Sequence, residues 1–557
     1  MSDLLVHRGP DGQGFWANQR VGLGHRRLAM LDLAGSKQPF SDGGIQVAAN
    51  AEIYNHQHLR TQLQARGHVA CSGAGDVAVL APLYREFGLD FAGHLVGMFA
   101  LALWDSEAET LVLARDRFGI KPLYYYQDSH FLVFASELSA LLAFPHLKPS
   151  LNLRALDQYC RFKTVLDPET MLHGVRQLSP GSLLLAGPKG VTLQPYTKPS
   201  HVAPSVAEAL RTSVEQCLVS DQPLGVFLSG GIDSSVVAAL VVELTGSATT
   251  FSVGFKEGLW DESAFSQQVA QHLRTRHHPL LMTSQHGVEA AQALSQGLDQ
   301  PLADESALAC YFLAQQARQH VKGVLTGDGG DEVFAGYPWH RPGPSFAGQI
   351  APVVATITGW NLFDSRQRTL LYRPELAAQI LDLDPFSQLA LDTNALRASS
   401  GLQASLLIDR GTSLLSYLLV KTDRTSMLNS LEVRLPMLNQ PLVDTVDHWM
   451  QDDWVDKVLL RQAFGHLLPE AVVKRPKKGF GVPLGVWMWQ PGPFRDLIYS
   501  HLKDPQALLW DTFEPKFVDQ LLCEHERVPR HGHLLWALFI LEGWLQRIRP
   551  SFVDSAG

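Results

Sequence analysis

Short apolar runs separated by polar turns dominate the first 195 residues. Residues 45–49 (IQVAA), 98–104 (MFALALW), 111–114 (LVLA) and 131–134 (FLVF) have strand length, with Gly, Asp or Ser between them. Helix-like segments at 56–66 and 77–86 interrupt the series, which predicts sheets covered by a few helices. Prolines among polar residues at 195–204 (PYTKPSHVAP) break the pattern, and the spacing predicts a domain boundary there, dividing the chain into 1–195 and 196–557. Beyond it, strands alternate with helices: 224–228 then 234–244, 249–253 then 263–272, and a short strand at 323–326. Such alternation predicts a parallel, doubly wound α/β sheet. After about residue 365 helices take over. The longest apolar run, 534–541 (LLWALFIL), falls well short of the ~20 residues of a spanning helix and reads as a buried helix.

At 557 residues the chain has room for several domains, and 46 % apolar with 18 % charged residues is an ordinary globular balance. A net charge of −9 leaves no basic field to hold nucleic acid, and no apolar span suggests a membrane partner. Cys71, Cys160, Cys217, Cys310 and Cys523 are scattered without paired spacing, which argues against a disulfide framework or zinc site. The first ten residues turn polar at once, unlike a secretory signal, so a soluble cytoplasmic protein is expected.

The sharpest chemical signal is 224–235 (LGVFLSGGIDSS), an apolar strand running through Ser-Gly-Gly into a helix. Glycines let backbone come close to a ligand, and N–H groups at a helix start favour an anion. Neither the Walker pattern nor a dinucleotide fingerprint is present. Further acid- and glycine-rich segments follow: 250–255 (TFSVGF) with 261–263 (DES), 325–337 (LTGDGGDEVFAGY), 421–427 (KTDRTSM) with 432–436 (EVRLP), and 475–483 (RPKKGFGVP). The last could by itself be a solvated basic turn. Together, in this order, the segments resemble the ATP-pyrophosphatase-type synthetase domain of the asparagine synthetase family. The resemblance implies that ATP with Mg²⁺ adenylates a carboxylate. It implies that Leu228, Ser229, Gly230, Gly231, Asp233, Ser234, Val253, Thr326 and Gly327 hold ATP, and that Asp233 and Asp331 hold the metal. Asp328, Lys421 and Lys478 would be catalytic; Lys457 is a further candidate lysine, and Lys478 is closest in context to the family's catalytic one. Many family members carry Glu where this chain has Asp328, which puts the carboxylate about one carbon–carbon bond back.

Residues 7–137 resemble the class II glutamine amidotransferase domain, an αββα sandwich of the N-terminal-nucleophile type. The resemblance rests on 7–11 (HRGPD), 24–32 (GHRRLAMLD), 50–55 (NAEIYN), 72–76 (SGAGD), 97–100 (GMFA) and 115–124 (RDRFGIKPLY). It implies a glutamine pocket of Arg27, Leu28, Ala29, Met30, Leu31, Asn50, Ala51, Glu52 and Asp76. Arg27 would hold the α-carboxylate, Asp76 the α-ammonium, and 50–52 the reacting amide. Ala51 stands where the family has glycine; a positive φ there would strain alanine by about 1 kcal/mol. Active members open with a cysteine whose own α-amine is the base. Here six residues precede His7 and none is cysteine, so the sandwich reads as N-terminally truncated and glutaminase activity as doubtful.

The expected activity is ATP-dependent amide formation: aspartate becomes aspartyl-AMP and is attacked by ammonia, free or derived from glutamine. A homodimer is a possible assembly. The alternatives are a relative that adenylates another carboxylate for ammonia or an internal amine, of the β-lactam or macrolactam-forming kind, and a non-catalytic pseudoenzyme.

Overall fold

The computed structural model describes residues 1–68, 75–196, 199–340, 362–389 and 401–553. Cys71 and the 72–74 part of the SGAGD segment lie outside them.

The first half is antiparallel. Strands β1 (Gly12–Ala17), β2 (Gly22–Arg27), β3 (Phe40–Asp42), β4 (Ile45–Ile53), β5 (Gly97–Asp105), β6 (Thr110–Arg115), β7 (Tyr124–Gln127), β8 (Leu132–Ala135), β9 (Val175–Gln177), β10 (Ser182–Gly187) and β11 (Gly190–Pro195) follow in chain order. One sheet runs β11-β10-β6-β5-β4-β3; β1-β2 and β8-β7-β9 lie in a second layer. β5 explains the layering. Its odd residues Phe99, Leu101 and Leu103 pack with Leu59, Leu63, Leu80 and Leu83 of the covering helices. Its even residues Ala100, Ala102 and Trp104 pack with Leu23, Leu123 and Leu132 of the second layer. A strand buried on both faces must be apolar throughout, hence the unbroken run at 98–104. The far face of the second layer, through Tyr124, Ala135 and Val175, rests on Leu138, Leu156 and Tyr159 of two further helices. The order is helix, sheet, sheet, helix.

The second half holds a parallel sheet of β12 (Leu224–Phe227), β13 (Thr249–Phe255), β14 (Arg276–Met282), β15 (Gly323–Leu325) and β16 (Glu432–Arg434), in the order β14-β13-β12-β15-β16. The chain leaves β12 toward β13 on one side and returns to β15 on the other. Crevices that bind ligands in such sheets lie at this switch, beyond the carboxyl ends of the strands. β14 and β16 were not expected. β14 carries Arg276, His277 and His278 at the sheet edge, and β16 is three residues long.

Helices make up most of the remainder after residue 365. The apolar run 534–541 lies in Gly532–Val553 with every member buried. Each such Leu, Ile or Phe contributes roughly 2 kcal/mol by leaving water. Among the described residues no helix is long and apolar enough to cross a membrane.

Candidate active site

The expected nucleotide residues converge at the switch point. Ser229–Gly231 connect β12 to the helix Ile232–Thr245, and their hydroxyls fold the turn on itself. The Ser229 amide donates to Ser234 Oγ (3.2 Å), and the Gly231 amide to Ser229 Oγ (3.3 Å). Gly230 has φ +74°, and a Cβ there would stand 2.6 Å from the Ser266 amide nitrogen. A Cβ on Gly327 would come within 2.5 Å of the Ser234 nitrogen. The two turns therefore touch, and only glycine allows it. Leu228 is buried, its amide donating to the Phe251 carbonyl (2.8 Å), and Val253 continues β13 alongside.

Asp233 opens the helix after β12, and Asp331 lies in the single turn Gly330–Val333 after β15. Lys457 reaches both, 2.8 Å from Asp331 Oδ1 and in contact with Asp233 Oδ2. Burial pushes Asp233 upward, opposed by Lys457. Burial also pushes Asp331 upward, but Lys457 and Lys477 outweigh it and hold Asp331 down to about 2. Asp233 Oδ1 is buried without a hydrogen-bond donor. An acceptor left over beside a second carboxylate suits a hard cation.

Lys457 is presented by unusual backbone. Asp456 and Lys457 have φ +58° and +62°, a conformation L-residues adopt at a cost, pinned by amide bonds to the Ala335 (2.9 Å) and Phe334 (3.1 Å) carbonyls. Lys478 stands apart. It is half exposed, donating to the Leu259 carbonyl (3.0 Å) and 3.3 Å from Glu262. Its neighbour Lys477 turns inward to Asp331, and Arg475 donates to the Gly230 carbonyl (3.1 Å). The basic segment thus folds onto the nucleotide turns. Lys477 was not anticipated, since nothing in a run of adjacent lysines tells which faces inward.

Asp328 accepts from Thr422 Oγ1 (2.8 Å). Lys421 lies nearby, 3.0 Å from Asp304 and donating to Ser306 Oγ (2.9 Å). Burial would lower Lys421, but Asp304 overrides it and keeps the amine charged.

In the first half, Arg27, Leu28, Met30, Leu31, Asn50, Ala51, Glu52 and Asp76 line one cavity of about 300 Å³, with Met1, Ser2 and His25 also at its wall. Ala29 lies outside it, its amide donating to Asp11 (2.9 Å). Arg27 donates to the carbonyls of Leu31 (3.0 Å), Asp32 (2.6 Å) and Leu33 (3.0 Å), shaping the loop beside it. Asp76 is buried, which raises its carboxyl, while the Ile53 amide donates to it (2.7 Å). Burial pushes His25 down to about 4, so its neutral ring donates to the Ala49 carbonyl (3.1 Å). The condition for strain at Ala51, a positive φ, is not met. Ala51 belongs to β4, in register with Phe99, and is not among the residues of positive φ. β4 runs to Ile53, so the 50–52 segment is strand, where alanine is at ease.

A second, water-sized cavity of about 10 Å³ shares Lys121 and Met427 with the first and is lined by Thr422, the partner of Asp328. The two cavities are therefore neighbours, with Lys121 and Met427 in the wall of each.

The chain matches the asparagine synthase family model over residues 205–546 and the glutamine amidotransferase domain model over residues 1–197. It is 31 % identical to asparagine synthetase (glutamine-hydrolyzing) 1 of Bacillus subtilis, across 98 % of this chain and 92 % of that protein. It is 29 % identical to asparagine synthetase (glutamine-hydrolyzing) 3 of the same organism, across 86 % and 83 %. A third relative is amidase chyE of Penicillium rubens, 36 % identical across 61 % of this chain and 54 % of that protein.

Proposed function

The chain belongs to the asparagine synthetase family, and on that premise we propose that it makes asparagine from aspartate, ATP and ammonia. It is an ATP-dependent carbon–nitrogen ligase. On a division at 195/196 the nucleotide turns fall in the second domain, and the glutamine cavity lies mostly in the first, with Met427 and Glu432 of the second at its wall.

In this reading the ATP phosphates lie on the Ser229–Gly231 turn at the start of the helix Ile232–Thr245, where backbone N–H groups attract anions. An oxygen of the aspartate side-chain carboxylate attacks the α-phosphorus, and pyrophosphate leaves with the bonding pair. Lys457 and Lys477 offset the charge that builds on the leaving group. Asp233 and Asp331 would hold Mg²⁺, which when bound supplies further charge neutralisation to the phosphates. Ammonia then attacks the acyl carbon and AMP departs. Asp328, which accepts from Thr422, would take up the proton that the attacking nitrogen sheds. What carries the reading is the convergence of Asp233 and Asp331 with Lys457 and Lys477 beside the Ser229–Gly231 turn at the end of the parallel sheet.

Pyrophosphate release with ammonium present, assayed across a panel of carboxylates, tests it. Strict dependence on aspartate is expected. Release with another carboxylate alone would favour the second reading, a ligase for a different acid, which the short Asp328 tethered to Thr422 supports.

A further inference from the structure

The geometry points to Arg434, a residue of the nucleotide-binding half, as a positioning residue of the glutamine pocket. The inference rests on the reading of that cavity as the glutamine site. The Arg434 side chain is wholly buried and divides its hydrogen bonds between two directions. Nη2 donates to Glu52 Oε2 (2.6 Å) and Nε to Glu432 Oε1 (2.8 Å), both of which line the cavity. Nη1 donates to the carbonyls of Cys217 (2.8 Å) and Val219 (2.6 Å).

The second direction leads back to the same cavity. Immediately after Val219, the Ser220 hydroxyl (3.3 Å) and the Asp221 amide (2.9 Å) both donate to the Met30 carbonyl. Asp221 Oδ2 accepts from the Asp32 amide (2.7 Å). Met30 and Leu31 form one wall of the cavity, with Arg27 bonded to the Leu31 and Asp32 carbonyls. Asn50, Ala51 and Glu52 form another. One planar guanidinium, with donors in a fixed fork, therefore sets the distance between the wall that would grip the α-carboxylate and the wall that would meet the amide.

A buried arginine is a poor choice for mere cohesion, since apolar packing holds an interface at least as well as a desolvated ion pair. What the fork adds is orientation. The nucleotide end depends on Arg434 differently: its backbone carbonyl accepts from the Thr326 amide (3.1 Å), a bond that survives any side-chain change. Side-chain substitution should separate the two ends.

The test is a calorimetric titration of L-glutamine into the full chain, beside aspartate-dependent ATP–pyrophosphate exchange. Arg434→Lys keeps a cation opposite Glu52 and Glu432 but loses the fork. It should weaken glutamine binding at least about tenfold while leaving exchange unchanged. Asp221→Ala, at an exposed position, removes only the bond to Asp32 and should give a smaller loss in the same direction. Wild-type affinity in Arg434→Lys overturns the inference, as does a parallel fall of binding and exchange. A wild-type chain that binds no glutamine overturns the pocket reading itself, and this inference with it.

Discussion

Arg8 donates two hydrogen bonds of 2.8 Å each to the carboxylate of Asp423, 415 positions further along the chain. The HRGPD and KTDRTSM segments are thereby joined through a buried fork. Glu137 accepts from Arg8 (3.1 Å) and from Arg424 (3.4 Å), which also lies 2.8 Å from Asp299.

Removing one partner from such a network leaves the other charge buried and unpaired. Arg8→Ala and Asp423→Ala should each lower stability by about 3–5 kcal/mol. The double variant Arg8→Leu/Asp423→Leu should be less damaged than the sum of the single changes. Urea unfolding of the set measures the coupling.

Asp233→Asn and Asp331→Asn should each reduce ATP–pyrophosphate exchange by on the order of a hundredfold or more without unfolding the chain. Circular dichroism checks the fold and isotope exchange the activity. Near-normal exchange in either variant would remove that carboxylate from the phosphate site.

Lys457 and Lys478 are separable. Lys457→Met takes away the cation between two buried carboxylates, and should lower both exchange and melting temperature. Lys478→Met alters a half-exposed side chain at the rim, so its effect should be confined to exchange and be the smaller of the two. A larger loss of exchange from Lys478→Met would make the rim lysine the one that meets the leaving group.

Burial tends to raise the Glu137 carboxyl, but His7, Arg424 and Arg8 outweigh it and hold it down to about 2. The folded value lies below the ~4.3 of an unfolded glutamate, so the stabilisation is complete above that pH and fades as pH falls toward 2. It amounts to about 3 kcal/mol. Between pH 6 and pH 3 the wild-type chain should lose stability more steeply than Glu137→Gln, as read by chemical denaturation at each pH.

Ala51→Gly should not improve the glutamine pocket, because Ala51 already has ordinary strand geometry. Glutamine affinity should stay as it was and stability should fall by about 0.5–1 kcal/mol. Marked tightening would show that the strand must rearrange on binding.

The nucleotide turns were legible because their signal is local: a strand, small residues and a carboxylate follow one another at 224–235 and again at 325–332. The long apolar strands were legible for the same reason, as at 98–104. What escaped depends on partners distant in sequence. β16 reads Glu-Val-Arg, and only its place beside β15 makes it a strand. Lys457 was a candidate by its charge, but the positive-φ backbone that presents it, held by carbonyls of residues 334 and 335, is announced by no glycine. The consequence of Ala51 turned on how far β4 runs, since a residue inside a strand keeps a negative φ.

Tyr159 donates to the Ala537 carbonyl (2.7 Å) within a continuous apolar interior that contains Leu138, Leu156 and Leu172 from one half and Trp536, Phe539 and Trp544 from the other. The covalent link near residue 200 is therefore a minor part of what keeps the halves together. Hydrolysis of the backbone there would leave a nicked molecule that migrates as one species in native solvent and as two pieces only in denaturant. For the same reason neither half could be shed, exchanged or expressed by itself without exposing the seam: the two chemistries are inherited as one body.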